Sequence, residues 1–181
     1  MITFQDTFTA EKNQRFYDYK LCFQFIQEQG KKTYGSSFQL NVHQRESLYK
    51  LLIYAIKDEK LCKKHGIDVH KSVLIMGPSG CGKTSLFHLI KPFFIKKELY
   101  VIKSSKELSR NYFQKGFQCL DDYNFKSLPT LCIDDIGLET IGKHYGTNCD
   151  VVLELLDLRW GTNFSQLKTH LITSLLILER N

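Results

Sequence analysis

The chain has 181 residues, 43% apolar and 24% charged, an ordinary globular composition that suffices for one buried core and shows no repeat or low-complexity tract. No run approaches the roughly 18 apolar residues of a membrane span, the start Met-Ile-Thr-Phe-Gln-Asp lacks the basic and apolar parts of a signal peptide, and the 6 cysteines include no C-x-x-C pair. A cytoplasmic chain with reduced thiols and no membrane association is expected, and its net charge of +6, mostly from lysine, favours contact with nucleic acid.

Residues 1–68 read as a mostly helical N-terminal region, and residues 69–181 as a core that carries the chemistry. One helix is expected from about Asn13 to Gln29, stopped by Gly30. Tyr34-Gly-Ser-Ser-Phe38 reads as a loop. Leu48, Leu51, Leu52, Ala55 and Ile56 share one face of a second helix. Val73-Leu-Ile-Met76 is a short apolar run suited to a buried parallel strand, and Ser85 to Ile90 can begin a helix.

Between them Gly77, Pro78, Ser79, Gly80, Cys81, Gly82, Lys83 and Thr84 form a complete G-x-x-x-x-G-K-[ST] phosphate-binding loop, followed by Ser85. A polyphosphate must be met by several backbone N–H groups at once, and side chains at Gly80 and Gly82 would block that approach. The N–H groups make an anion-binding concavity, and the next helix adds the positive end of its dipole. Lys83 brings a point charge to the β- and γ-phosphates, and Thr84 a hydroxyl for Mg2+. Cys81 contributes through its backbone. The pattern and its strand and helix flanks predict a bound nucleoside triphosphate, ATP with Mg2+.

Further on, Tyr100-Val-Ile-Lys103 is a candidate strand, and Ser104-Ser-Lys-Glu107 fits a capping box opening a helix that ends near Gly116. Leu131-Cys-Ile133 then runs as a strand into Asp134 and Asp135. In an open parallel sheet ligands sit beyond the carboxyl ends of the strands, so Asp134 should emerge beside the phosphate loop and hold Mg2+ through water. Asp135 would orient and deprotonate the attacking water. Asp-Asp-x-Gly is also a common turn sequence; the phosphate loop before it is what favours the metal reading. Asp150 can cap a helix holding Val151, Val152, Leu155 and Leu156. Alternating strands and helices predict an α/β three-layer sandwich with a parallel sheet.

Lysines cluster at Lys60, Lys63 and Lys64 and at Lys91, Lys96 and Lys97, and Tyr112, Phe113 and Phe117 lie near Lys115. Charges and rings together suit a single strand of DNA. Solvated helix faces and core aromatics account for the same residues.

These motifs resemble the AAA+ ATPases of the DnaC type, which load replicative helicases, and the related IstB-type helpers of transposition. Gly77-Pro-Ser-Gly-Cys-Gly-Lys-Thr84 matches the Walker A motif. Leu131-Cys-Ile-Asp-Asp-Ile-Gly-Leu-Glu139 looks like the Walker B motif, and Lys168-Thr-His-Leu-Ile-Thr-Ser174 like the sensor 1 strand. Ser174 stands where that family typically has Asn, one hydroxyl in place of an amide. The resemblance spans about Tyr34 to Ser174 and implies an ATPase core, a helicase or transposase as partner, and a homo-oligomer. The family continues past sensor 1 into a fifth strand, an arginine finger and a helical lid, so an incomplete, C-terminally truncated AAA+ core with a bare strand edge at Val73 to Met76 is expected. Two other readings stay open. A small P-loop kinase is disfavoured by scattered arginines at 15, 45, 110, 159 and 180, and a nucleotide-binding switch or fragment without useful turnover is the other.

Overall fold

The computed structural model of the chain describes residues 1–12, 14–94, 99–123, 130–138, 142–144, 147–161 and 171–176. Phe4–Thr7 form a 3-10 turn, and an antiparallel hairpin follows, β1 (Phe8–Glu11) against β2 (Gln14–Tyr17), turning at Lys12 with φ of +45°. The helix expected from Asn13 therefore starts later. Its first turn is set by Asp18, whose carboxylate accepts from the Leu21 N–H at 3.1 Å, and α1 spans Tyr19–Tyr34.

Gly30 does not stop this helix. The ring of Phe38 packs where its Cβ would stand, so glycine at this position provides space, and the helix ends at Gly35 with φ of +102°. The Gln27 side chain fixes the returning segment, donating to the Phe38 carbonyl at 2.6 Å and accepting from the Leu40 N–H at 3.2 Å.

Helix α2 (Val42–Ala55) opens with a reciprocal capping box between Asn41 and Gln44. Its Leu48, Leu51, Leu52 and Ala55 are buried, as their spacing predicts, and Ile56 is half-buried just beyond the helix. A short helix α3 (Glu59–Lys64) is capped by Asp58, which also accepts from the Tyr19 hydroxyl at 2.7 Å and so ties α3 to α1.

The rest is mixed α/β. β3 (Val73–Gly77) leads to α4 (Lys83–Ile90), β4 (Val101–Ser104) to α5 (Ser105–Lys115) and α6 (Gln118–Asp121), and β5 (Leu131–Ile136) to a small hairpin, β6 (Gly142–His144) with β7 (Thr147–Cys149). Then come α7 (Val151–Gly161) and β8 (Leu171–Leu176). Strands β3, β8, β5 and β4 lie in that order in one 4-stranded sheet, and every pair is parallel. The capping box at Ser104 is half formed: its hydroxyl accepts from the Glu107 N–H at 3.1 Å, while the Glu107 carboxylate turns to Lys103.

The sheet separates two hydrophobic clusters. Leu131 and Ile133 of β5 join Leu108, Tyr112, Val151, Val152 and Leu155 from α5 and α7. Cys132, between them, joins Leu48, Leu52, Phe25 and Ile26 of the N-terminal helices with Phe87 and Ile90 of α4. Neighbouring residues of one strand thus enter opposite clusters, as the period of 2 requires of a strand covered on both faces. The N-terminal helices share this second cluster with the sheet and α4. Among the described strands β3 ends the order, and its Leu74 and Met76 are 54% and 57% exposed. No helix among the described residues is long and apolar enough to cross a membrane.

Candidate functional site

The loop of the Gly77–Thr84 motif leaves the end of β3 and enters α4 through backbone that only glycine adopts readily: Gly80 has φ of +75° and Gly82, the residue before α4, φ of +89°. A cavity of about 250 Å³ lies over this turn, lined by Ser79, Gly80, Gly82, Lys83, Thr84, Ser85 and Asp135. Six of the seven come from the loop and the start of α4; Gly77, Pro78 and Cys81 of the motif do not line it. Asp135 arrives from β5, two strands away from β3 in the sheet.

Lys83 is only 6% exposed, and its ammonium donates to the carbonyls of Gly77 at 3.0 Å and Pro78 at 2.9 Å. The cation is thereby kept at the loop, where it can meet a phosphate by exchanging neutral carbonyl acceptors for charged ones. The Thr84 hydroxyl donates to Asp134 Oδ2 at 2.7 Å across 50 residues of sequence. Asp134 is itself buried, and its Oδ1 accepts from the Asp135 N–H at 3.1 Å. A hydroxyl and a carboxylate are hard oxygen donors, the type that Mg2+ takes in small number beside phosphate oxygens and water, so the residues fit this ion.

Asp135 has φ of +58°, unusual for a residue with a side chain. The cause lies in the sheet register. Ile133 pairs with Thr173 and Ile136 with Leu175, so Asp134 and Asp135 together span the length of Ser174 alone, a β-bulge. The buried Ser105 hydroxyl donates to the Asp135 carbonyl at 2.6 Å and secures the bulge. Ser174 pairs with Ile75 on its other side, so its backbone lies between the loop strand and the carboxylate strand.

Two residues at this site escape sequence reasoning. Ser105 follows a capping serine and carries no signal of its own. Gln44 is legible as the partner of Asn41 in an N-x-x-Q capping box, but not as a neighbour of the loop; its Nε2 donates to the Cys81 carbonyl at 2.9 Å.

Other expected features lie elsewhere. Tyr112 is a core residue at 0% exposure, whereas Phe113 and Phe117 are 44% and 54% exposed, and Lys115 pairs with Asp122 at 3.6 Å. Lys60, Lys63 and Lys64 are exposed on α3, and Lys91 lies over the Tyr100 ring. Lys96, Lys97, Glu139, Arg180 and the first residues of the expected sensor strand, Lys168 to His170, fall outside the described residues. All six cysteines are free; burial pushes the Cys22 and Cys62 thiols up to about 11, and Cys81 alone of the six is not fully buried.

No protein-family model matches the chain, and no curated protein matches it.

Proposed function

We propose that the chain is a P-loop ATPase core of the AAA+ type, a three-layer sandwich that binds ATP with Mg2+ in the loop Gly77 to Thr84 and hydrolyses it slowly. The observation that carries this reading is the Thr84–Asp134 hydrogen bond, 2.7 Å long, beside a cavity of about 250 Å³ that Thr84 helps to line. It joins the last residue of the loop motif to the first carboxylate of β5, the two groups that one Mg2+ ion would need. Helical clusters on both faces of a parallel sheet support the layered architecture.

In this reading the N–H groups of the loop and of the α4 N-terminus receive the phosphates, and Lys83 adds a point charge. Thr84 and Asp134 would hold Mg2+, which would supply neutralisation of phosphate charge. Asp135, facing the same cavity, orients the attacking water and takes its proton. It is one methylene shorter than the glutamate common at this place in the family that the motifs resemble. A misplacement of about 1 Å can cost on the order of 100-fold in rate, hence slow turnover. From the same resemblance come two partners, a replicative helicase or a transposase and further copies of the chain; the cytoplasmic setting rests on the composition and cysteine usage, and single-stranded DNA on the lysines and rings.

Titration with a fluorescent ATP analogue in the presence of Mg2+ tests the site. Lys83→Ala removes the charge-assisted contacts, each worth roughly 1.5–3 kcal/mol, and should weaken binding on the order of 100-fold. Equal affinity in the two chains would sink the assignment. Binding without any turnover above background would leave a nucleotide-binding switch in place of an ATPase.

A further inference from the structure

The peptide group between Cys81 and Gly82 closes the loop against α4. Its carbonyl accepts from Gln44 Nε2 at 2.9 Å. Gly82 lines the cavity over the loop, whereas neither Cys81 nor Gln44 does. A Cβ on Gly82 would collide with the Gln44 amide nitrogen, so the side chain lies directly against the loop backbone.

No cis peptide occurs among the described residues, and in a trans peptide the C=O and the following N–H point in opposite directions. A Cys81 carbonyl turned outward to Gln44 therefore turns the Gly82 N–H inward, toward the cavity. The reverse orientation would present a carbonyl oxygen to the ligand. Sterics do not decide between the two, because glycine at position 82 tolerates φ of either sign. Something outside the loop must hold the plane.

Gln44 is built for that task. Its Oε1 accepts from the Asn41 N–H at 2.9 Å, which fixes the amide so that Nε2 faces Cys81. Its own N–H donates to Asn41 Oδ1 at 2.8 Å, a bond that caps α2 and does not orient the side-chain amide. That helix is packed into the cluster that includes α4.

We propose that Gln44 is a positioning residue of the phosphate loop: its amide holds the Cys81–Gly82 peptide plane so that the Gly82 N–H faces the phosphates, and through it the N-terminal helices set the affinity of the loop. The role rests on the nucleotide-binding reading above and goes beyond it by assigning a residue that the loop motif does not contain. The ligand class is the same, the polyphosphate of a nucleoside triphosphate.

The test compares the full chain with Gln44→Met, Asn41→Ala and Lys83→Ala, titrating each with a fluorescent ATP analogue and Mg2+ and recording the melting temperature without nucleotide. Gln44→Met keeps the length of the side chain and loses its donor, and should bind about tenfold more weakly, the scale of one hydrogen bond left unmade. Asn41→Ala removes a helix cap but leaves the Asn41 N–H and the Gln44 contact to Cys81, so it should lower the melting temperature with affinity within about twofold of the parent. Should Gln44→Met fail to fold, Gln44→Glu, which retains the acceptor for the Asn41 N–H and lacks the donor, takes its place with the same expected loss. Unchanged affinity at position 44, or equal losses at 41 and 44, would overturn the proposal and make Gln44 a helix cap only. If Lys83→Ala binds as tightly as the parent, the loop does not hold phosphate and the role of Gln44 falls with it; a weak Lys83→Ala beside an unaffected Gln44→Met overturns this role alone.

Discussion

Two glutamine side chains in this molecule each bind backbone with both ends of the amide, and each sits beside a glycine that leaves room for a side chain from another segment. In the N-terminal region Gln27 holds the carbonyl of Phe38 and the N–H of Leu40, while the Phe38 ring covers Gly30. At the phosphate loop Gln44 holds the carbonyl of Cys81 and the N–H of Asn41, and its own amide covers Gly82. The differences lie in backbone and surroundings. Gly30 lies inside α1, has no positive φ, and packs against an apolar ring in the main cluster; Gly82 has φ of +89° and lines a polar cavity. The first arrangement closes a loop over a helix and contributes stability. The second fixes the direction of an N–H group. The same missing Cβ thus serves packing in one region and, in the role proposed for Gln44, ligand geometry in the other.

Substitutions should separate turnover, affinity and stability along this divide. Asp135→Asn is the largest expected effect: it removes the proposed base without removing any proposed phosphate contact, so ATP turnover should fall about 10²- to 10⁴-fold while nucleotide affinity holds. Steady-state phosphate release checks it, and turnover equal to the parent would move the base elsewhere, with Glu139 the next candidate. Gly82→Ala comes next. It adds roughly 1–2 kcal/mol of left-handed strain and displaces the Gln44 amide, so affinity for the ATP analogue should fall at least about tenfold. An alanine variant that binds like the parent would show that the loop tolerates another peptide orientation. Gly30→Ala is the smallest effect and the counterpart on the other side. Overpacking against Phe38 should cost about 1–3 kcal/mol, a drop in melting temperature on the order of 5 °C for a chain of this size, with affinity per folded molecule unchanged. Loss of nucleotide affinity in this variant would break the comparison, because the Phe38 contact would then reach the site as well.

Much of the site was legible in the residues because its chemistry is local. The loop must combine glycines, a lysine and a hydroxyl within eight positions, and a strand ending in carboxylates is a short pattern too. The face of α2 followed from helical spacing, and the caps at Ser104 and Asp150 from the preference of short oxygen side chains for free N–H groups. The N-terminal hairpin was not legible. β1 and β2 are four residues each with mostly exposed side chains, so no apolar alternation marks them, and the stretch from Asn13 reads as the start of a helix. Gly30 misleads for a related reason: a glycine in a helical pattern reads as a stop, and only Phe38, eight residues away in sequence, explains it.

By itself the sequence determined the phosphate-loop motif, the pair of carboxylates and the alternation of strands with helices, since each depends on residues near one another in the chain. The tertiary structure alone decided which strands are neighbours, that Asp134 reaches Thr84, that a bulge secured by Ser105 turns Asp135 into the cavity, and that Gln44 reaches the loop. Those contacts join residues 30 to 50 positions apart, and the packing that brings them together depends on both faces of the sheet at once. Local propensity carries no record of it.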